Sequence, residues 1–271
     1  MSRPPGALRP TTSAAPLSRS LLEPLAGAAT FVVLLGALEW AVKAGKVNAA
    51  LVPPPSVVAA KTWEIVVRGE VLAPLGATLY LLGVAFAVAT LLAVGAGLLM
   101  GRHAWLHALF EPVLELLRPL PKPALLPPLI LFLGLGDAMK LTVIGLGVFF
   151  PTLINTLQGV RGVDPVQLDV ARTFGHSPRA LLLKVVLPAA MPLILAGMRI
   201  SLGLGLVLVV VAEMMAGTGG VGYLIIDMQR TFQVARMYAW ILVLAVLGLL
   251  LNHLFVRLER RLIHWSLQGP A

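Results

Sequence analysis

Residues 163–188 read VDPVQLDVARTFGHSPRALLLKVVLP and divide into two short helical segments. Asp164 is a good N-cap, and Gln167, three residues later, completes a capping box. Gly175 suits the left-handed backbone position that follows a helix end. A second pair of cap and proline, Ser177-Pro178, then begins another helix. The spacing therefore predicts two short helices joined at Gly175, with an exit into the next apolar segment at a proline.

The composition around this segment is that of a membrane protein. The chain has 271 residues, of which 58% are hydrophobic and 12% charged. Soluble domains contain about 25% charged residues. This number of charges is too small to cover the surface of a soluble globule of this size. We therefore expect a large part of the surface to contact lipid. The chain contains no cysteine, which excludes disulfides and thiolate metal sites.

The cationic charge is best explained by membrane topology. The formal net charge is +9, and Lys and Arg collect on the cytoplasmic side of membrane proteins. With the N-terminus inside, eleven of the 21 Lys and Arg residues fall in inner segments and seven in outer segments. This bias predicts that both termini are cytoplasmic. Nucleic-acid binding is not expected, because the aromatic residues, 6% of the chain, show no stacking pattern.

Six segments are predicted to span the bilayer, which takes about 20 apolar residues per helix. They are Leu25–Val42, Leu72–Met100, a segment between Trp105 and Leu135, Met139–Leu157, Ala189–Met215 and Tyr238–Val256. The predicted fold class is all-α, a polytopic membrane helical bundle in which residues 21–271 form one domain. Residues 1–20 are predicted to form a disordered cytoplasmic tail and not a signal peptide. Small residues of the second span are predicted to let helices approach closely; these are Gly76, Gly83, Gly95 and Gly97.

The third span contains Arg118-Pro119-Leu120-Pro121-Lys122-Pro123 in its middle. Because prolines remove backbone donors and kink helices, this segment is not one regular helix. Either residues 105–117 lie along the cytoplasmic interface, or the helix is broken at membrane depth, beside protein or a water-filled cavity. The sequence leaves both arrangements open.

Four polar residues are candidates for the path of a transported molecule. Arg118 and Lys122 lie beside the proline-rich break and suit an anion path, although cations near lipid phosphates would fit equally well. Asn155 could line a pore or bond to another helix. Glu213, near the end of an apolar span, fits a substrate contact, a gate or an interhelical hydrogen bond. The five histidines are scattered, and no metal site is predicted.

Residues 169–188 resemble the EAA loop of the permeases of ATP-driven (ABC) importers, whose pattern is E-A-A-x3-G-x9-I-x-L-P. This sequence has Asp169-Val170-Ala171, Gly175 and Val185-Val186-Leu187-Pro188 at that spacing. The departures are mild, although Asp reaches less far than Glu. The resemblance implies a coupling loop at residues 161–188. Its residues expected to act on an ATPase are Asp169, Val170, Ala171, Arg172, Gly175, Leu187 and Pro188.

Other segments resemble the sulfonate, nitrate and taurine branch of these permeases. They are Leu126-Pro127-Pro128, Phe132-Leu133-Gly134, Phe150–Thr156, Ala196–Arg199, Val211–Glu213 and Gly219–Ile225. The resemblance implies a type I importer fold with six transmembrane helices in the bacterial inner membrane. It also implies a homodimer that moves a small anion such as an alkanesulfonate, taurine or nitrate. Bicarbonate, aromatic acids and thiamine-pyrimidine precursors remain alternative substrates.

The resemblance further implies partners. Two cytoplasmic ATPase subunits would bind ATP and Mg²⁺ and dock on the coupling loops, and a periplasmic binding protein would deliver substrate. The chain has no G-x-x-x-x-G-K-[ST] phosphate loop, so it is expected to bind no cofactor and not to be an enzyme. The rival hypothesis is a secondary transporter driven by an ion gradient. Such a protein needs paired ionisable residues at mid-membrane, and the sequence offers only Glu213.

Overall fold

The computed structural model describes residues 19–263, and contacts divide the chain into residues 1–58 and 59–271. Each unit is described by itself. All regular secondary structure in the described residues is helical, as predicted. The predicted tail, residues 1–20, lies outside the described residues except for Arg19 and Ser20, which begin the first helix.

Eleven α-helices follow one another in the described part of the chain. The first unit contains α1 (Arg19–Lys43) and the start of α2 (Pro55–Val67). The second unit continues with α3 (Leu72–Arg102), α4 (Ala104–Leu117), a 3-10 turn (Lys122–Leu125), α5 (Leu126–Leu133), α6 (Asp137–Arg161), α7 (Pro165–Thr173), α8 (Pro178–Leu181), a π-helical turn (Leu182–Val186), α9 (Leu187–Ala216), α10 (Val221–Arg230) and α11 (Val234–Leu262).

Glu39 joins the end of α1 to the start of α2. Its carboxylate accepts hydrogen bonds from the N–H of Ser56 at 3.0 Å and from the Ser56 hydroxyl at 2.7 Å. Lys43 pairs with the same carboxylate at 2.7 Å. N–H groups in the first turn of a helix have no partner within the helix, and a carboxylate beside them also suits the helix dipole. These contacts fix the loop between the two helices.

Four helical segments in the described residues are long and apolar enough to cross a membrane. They are α3, α6, the continuous run Pro178–Ala216 and α11. A fifth span results if α4 and the segment Lys122–Leu133, bent by 91° to each other, count as one. The prolines between them explain the bend, because each removes a backbone donor. The predicted total of six spans and the cytoplasmic location of both termini are not confirmed and stay predictions.

Helices α3, α6 and α9 form the centre of the second unit. Leu82, Ile144 and Val209, one from each helix, are buried in a single apolar cluster. Gly205 on α9 permits this close contact, because a Cβ there would lie 2.9 Å from Leu82 Cδ1. Interfaces between membrane helices depend on such small residues, since lipid is as apolar as the side chains themselves.

Of the four glycines of α3 that were predicted to allow close approach, only Gly97 does so in the described chain. A Cβ at Gly97 would lie 2.6 Å from Thr156 Cγ2 on α6, whereas the other three positions face open space. Gly101, four residues later on the same face, would bring a Cβ within 2.5 Å of Val160 on α6. The contact face of α3 therefore follows Gly97 and Gly101, which only the tertiary fold reveals.

Gly197→Ala is expected to lower the stability of the folded chain by about 1–3 kcal/mol. The new Cβ would lie 2.6 Å from Asn155 Cβ and 3.1 Å from the Pro151 carbonyl oxygen, and a helix backbone cannot yield easily. Gly203→Ala on the same helix is the matched control, because a Cβ there meets open space. It is expected to be neutral or stabilising by up to about 1 kcal/mol. Thermal unfolding in detergent measures both, and equal midpoints would contradict the expectation.

Candidate functional site

Lys122 closes the corner between α4 and α5. Its ammonium donates to the carbonyl oxygens of Leu117 at 2.6 Å, Leu120 at 3.0 Å and Arg118 at 3.4 Å. It also lies 4.5 Å from the centre of the Phe150 ring on α6. The last carbonyls of a helix lack partners within the helix, and a cation there suits the helix dipole. All three N–H donors of Lys122 are thus engaged in holding the end of α4.

A cavity of about 460 Å³ lies beside this corner, between it and helices α6 and α9. Arg118, Lys122 and Asn155 line the cavity, so the structure brings together three of the four residues predicted for a substrate path. Most of the remaining wall is apolar, including Phe150 and Leu204. A mainly apolar cavity with a few polar groups is typical of small-molecule sites.

Arg118 is the second cation that lines this cavity. Within residues 19–263 its guanidinium makes no hydrogen bond or ion pair, in contrast to the ammonium of Lys122. Arg118 also lines a second cavity of about 230 Å³, together with Gln158 and Arg161. A guanidinium offers five N–H donors in a planar fork that matches the oxygens of an oxyanion. Arg118 therefore lines both cavities, and its contact with a transported anion stays a prediction.

The polar residues of α6 divide between helix contacts and the cavity. Thr152 Oγ1 and Ser201 Oγ lie 2.8 Å apart, and Ser201 donates to the Val148 carbonyl at 2.8 Å, so this buried pair joins α6 to α9. Asn155 lines the cavity, and its Nδ2 donates to the Pro151 carbonyl oxygen at 2.8 Å. A role for Asn155 in substrate contact stays a prediction.

Glu213 lies apart from this cavity, fully buried near the end of α9. The Thr78 hydroxyl on α3 donates to Glu213 Oε1 at 2.8 Å, and the Gly222 N–H on α10 donates to Oε2 at 2.8 Å. The same hydroxyl accepts the N–H of Val221 at 3.0 Å. The carboxylate thus makes the interhelical hydrogen bonds that the sequence left open as one alternative. A substrate contact by Glu213 stays a prediction.

Two glycines leave room for this carboxylate. A Cβ at Gly220 would lie 2.2 Å from Glu213 Oε1, and one at Gly222 would lie 2.4 Å from the Val210 carbonyl oxygen. Gly220 also has φ +94°, which other residues rarely adopt. Sequence reasoning missed Thr78, because it lies 135 residues from Glu213. The sequence signal for a role of Thr78 is that it places a hydroxyl group within an apolar span.

The loop between α6 and α9 has the predicted caps. Asp164 Oδ1 accepts the N–H of Val166 at 2.8 Å and begins α7. Ser177 Oγ accepts the N–H of Ala180 at 3.3 Å and begins α8. Gln167 makes no return hydrogen bond among the described residues, so the predicted capping box is only half formed.

Gly175 takes the left-handed conformation that the sequence predicted, with φ +72°. Its N–H donates to the Arg172 carbonyl at 2.9 Å, and the N–H of His176 donates to the Ala171 carbonyl at 3.2 Å. This pair of hydrogen bonds is the Schellman motif at the end of α7. Asp169 and Arg172, both predicted coupling residues, pair with each other at 2.9 Å.

Helix α7 presents an apolar stripe, formed by Val166, Val170 and Phe174, which directly follows the helix. These side chains are 66%, 49% and 79% exposed, whereas Ala171 is buried. Their four-residue spacing places them on one helix face. The sequence pattern had indicated Val170 and Ala171 but not Val166 or Phe174. The four-residue spacing of Val166, Val170 and Phe174 was the sequence signal that could have indicated this stripe.

Pro188 lies at the start of α9, as predicted, but it does not break the chain into separate helices. From Pro178 to Ala216 the helix is continuous, with the π-helical turn before Leu187. The Leu187 N–H donates to the Leu182 carbonyl, five residues back. Proline lacks an N–H and pushes away the carbonyl four residues earlier, and the wider π-helical turn accommodates both effects. Leu187 and Pro188 therefore join the loop to α9 without a hinge of irregular backbone.

Comparison with known proteins gives consistent matches. The family described as "Binding-protein-dependent transport system inner membrane component" matches residues 77–264. SsuC of Bacillus subtilis strain 168, named as an aliphatic sulfonates transport permease, is 36% identical over 82% of this chain and 80% of its own length. TauC of Escherichia coli K12, named as a taurine transport system permease, is 34% identical over 70% of each chain.

The helical arrangement is also similar to a solved structure, the crystal structure of an amino acid ABC transporter with histidines. The TM-score is 0.56 at 17% sequence identity, and the match covers 70% of this chain and 91% of the other. At that identity the similarity concerns the fold alone.

Proposed function

Because the chain belongs to the family of inner membrane components of binding-protein-dependent transport systems, we propose that two copies of it form the membrane pathway for a small sulfonate. The chain is the permease subunit of an ATP-driven importer and a multi-pass protein of the cytoplasmic membrane. The family implies an ATPase and a substrate-binding protein as partners. The homodimer, the pair of ATPase subunits and a periplasmic binding protein belong to the proposal.

The apolar stripe of α7 supports docking of the ATPase on the coupling loop. Exposed apolar side chains on a short helix suit a groove on a partner protein, with anchors repeated at helical spacing. Val170 is exposed and Ala171 is buried, so in this proposal Val170 faces the partner while Ala171 packs inward. ATP and Mg²⁺ bind to the ATPase in this proposal, and the permease binds no cofactor and hydrolyses no ATP.

One observation carries the choice of an anion as substrate: the guanidinium of Arg118, in the cavity of about 460 Å³, has no partner within residues 19–263. Placed in a mainly apolar wall, it would favour a molecule that carries negative charge. The names of SsuC and TauC favour organic sulfonates, and taurine is one of these. Nitrate is a further candidate. Bicarbonate and aromatic acids carry the same charge and stay alternatives. A thiamine-pyrimidine precursor gains least from a free guanidinium.

Membership of the family fits an importer driven by ATP and does not fit a secondary transporter. Within residues 19–263, the buried carboxylate of Glu213 accepts hydrogen bonds from Thr78 and Gly222 and makes no salt bridge. Proton- or ion-coupled carriers use ionisable groups paired within the bundle.

Reconstitution tests the proposed function directly. The permease, with its ATPase and binding protein, is placed in proteoliposomes, and uptake of labelled alkanesulfonate, taurine, nitrate and bicarbonate is measured. We expect alkanesulfonate uptake that requires ATP and both partners. Uptake of nitrate or bicarbonate without uptake of any sulfonate would overturn a sulfonate as the substrate. Uptake that persists without the ATPase would overturn the importer itself.

A further inference from the structure

We propose that Glu213 is a positioning residue that makes α10 move together with α9 during transport. Three helices meet at its buried carboxylate: α3 through Thr78, α10 through Gly222, and α9, which carries Glu213 itself. This inference rests on the proposed function, because it concerns how motion that begins at the coupling loop reaches the far end of α9.

Helix α9 connects the coupling loop to Glu213. It begins at Leu187, directly after the π-helical turn, and ends at Ala216. At 1.5 Å per residue, Glu213 lies about 39 Å along the axis from Leu187. A displacement of the loop end of α9 is therefore carried by the helix to the carboxylate.

The covalent link from α9 to α10 is poorly suited to pass this displacement on. Residues 217–220 are Gly-Thr-Gly-Gly, and glycine-rich backbone is conformationally permissive. The hydrogen bond from Gly222 to Glu213 bypasses this linker. Thr78 strengthens the bypass, because its hydroxyl donates to Glu213 and accepts from Val221, the first residue of α10.

Helix α10 in turn packs against neighbouring helices. Val221 and Ile225 are buried in one apolar cluster with Ile65 of α2 and Trp240 of α11. A displacement of α10 is thus transmitted to α2 and α11. If α10 were held to α9 only by the glycine linker, α9 could move without moving α10, α2 and α11. Relative motion of α9 and α10 therefore distinguishes a positioning role from a contact that only stabilises the fold.

Spin labels can report this motion, because the chain has no cysteine of its own. Met215→Cys on α9 and Arg230→Cys on α10 place labels at two exposed positions. In the assembled transporter, with labelled copies diluted by unlabelled ones, the distance is measured without nucleotide and with ATP and vanadate. With Glu213 present, we expect one narrow distance distribution that is the same in both states.

Glu213→Ala is expected to broaden this distribution and to make it differ between the two states. Uptake per ATP hydrolysed is expected to fall about tenfold, since two buried hydrogen bonds are lost. Glu213→Gln keeps the shape and an oxygen that accepts from Gly222, and it is expected to restore the narrow distribution. Thr78→Val removes the hydroxyl while keeping the shape of the side chain. If Glu213→Ala does not assemble, Thr78→Val takes its place in the test and is expected to broaden the distribution in the same way.

Two results would overturn the proposal. One is a distance that already changes between nucleotide states with Glu213 and Thr78 intact. The other is a narrow, constant distance in Glu213→Ala, or in Thr78→Val where the former does not assemble. The distance does not depend on which anion is transported, so an error in the proposed substrate would leave this test intact.

Discussion

Gly175→Val is expected to lower ATP-driven uptake about tenfold while the chain stays folded and inserted in the membrane. Gly175 has φ +72°, where a β-branched residue is strongly disfavoured. Holding such a residue in the left-handed region costs about 1–2 kcal/mol, and about 1.4 kcal/mol is a tenfold change in an equilibrium. The bent form that presents α7 to the ATPase would therefore be about tenfold less favoured relative to other forms of the loop.

The surroundings of Gly175 make this a clean test of backbone conformation. A Cβ there would meet no described atom within 4 Å, so a steric clash within the chain is not involved. Gly175→Asn is the matched control, because Asn tolerates the left-handed region. It is expected to retain most of the uptake. Uptake and ATP hydrolysis are compared at equal amounts of inserted permease, and equal losses in both variants would contradict a role for the bend.

The shape of the coupling loop could be predicted because it is local. Asp164, Gly175 and Ser177 all act on backbone groups a few residues away, so their spacing is sufficient. The π-helical turn at Leu182–Val186 could not be predicted in this way. A proline that starts a helix and a proline inside a continuous one give the same local pattern, and the packing of the run from α8 to α9 decides between them.

The candidate site could be predicted only in part. Arg118 and Lys122 stand out because charges beside prolines are rare within an apolar segment. The engagement of Lys122 by three carbonyls depends on how the chain passes through a corner of 91°, which residue spacing does not determine. Thr78 and Glu213 lie in different helices, and nothing in either segment indicates the other. Long-range pairs of this kind need the tertiary fold.

Arg118→Gln is expected to lower sulfonate uptake about tenfold at saturating amounts of loaded binding protein. The guanidinium lines a mainly apolar cavity and is unpaired in the part of the chain that the structure describes. A hydrogen bond to a charged group contributes about 1.5–3 kcal/mol. Even the lower end of that range is about a tenfold effect. Arg118→Lys keeps the charge but loses the planar fork of donors. Its uptake rate is therefore expected to lie between that of Arg118→Gln and that of the unchanged chain. Uptake rates in proteoliposomes measure all three.

Two further variants distinguish a loss of substrate binding from a general effect of removing a positive charge and from a loss of stability. Arg257→Gln removes an exposed cation of α11 outside the cavity and is expected to leave uptake unchanged. Lys122→Gln removes a cation from the same cavity, but it also releases the carbonyls at the end of α4, so it is expected to lower the thermal midpoint. Arg118→Gln should leave that midpoint unchanged, because its guanidinium has no partner in the described chain. An undiminished uptake in Arg118→Gln, or an equal loss in Arg257→Gln, would remove the case for an anion in this cavity.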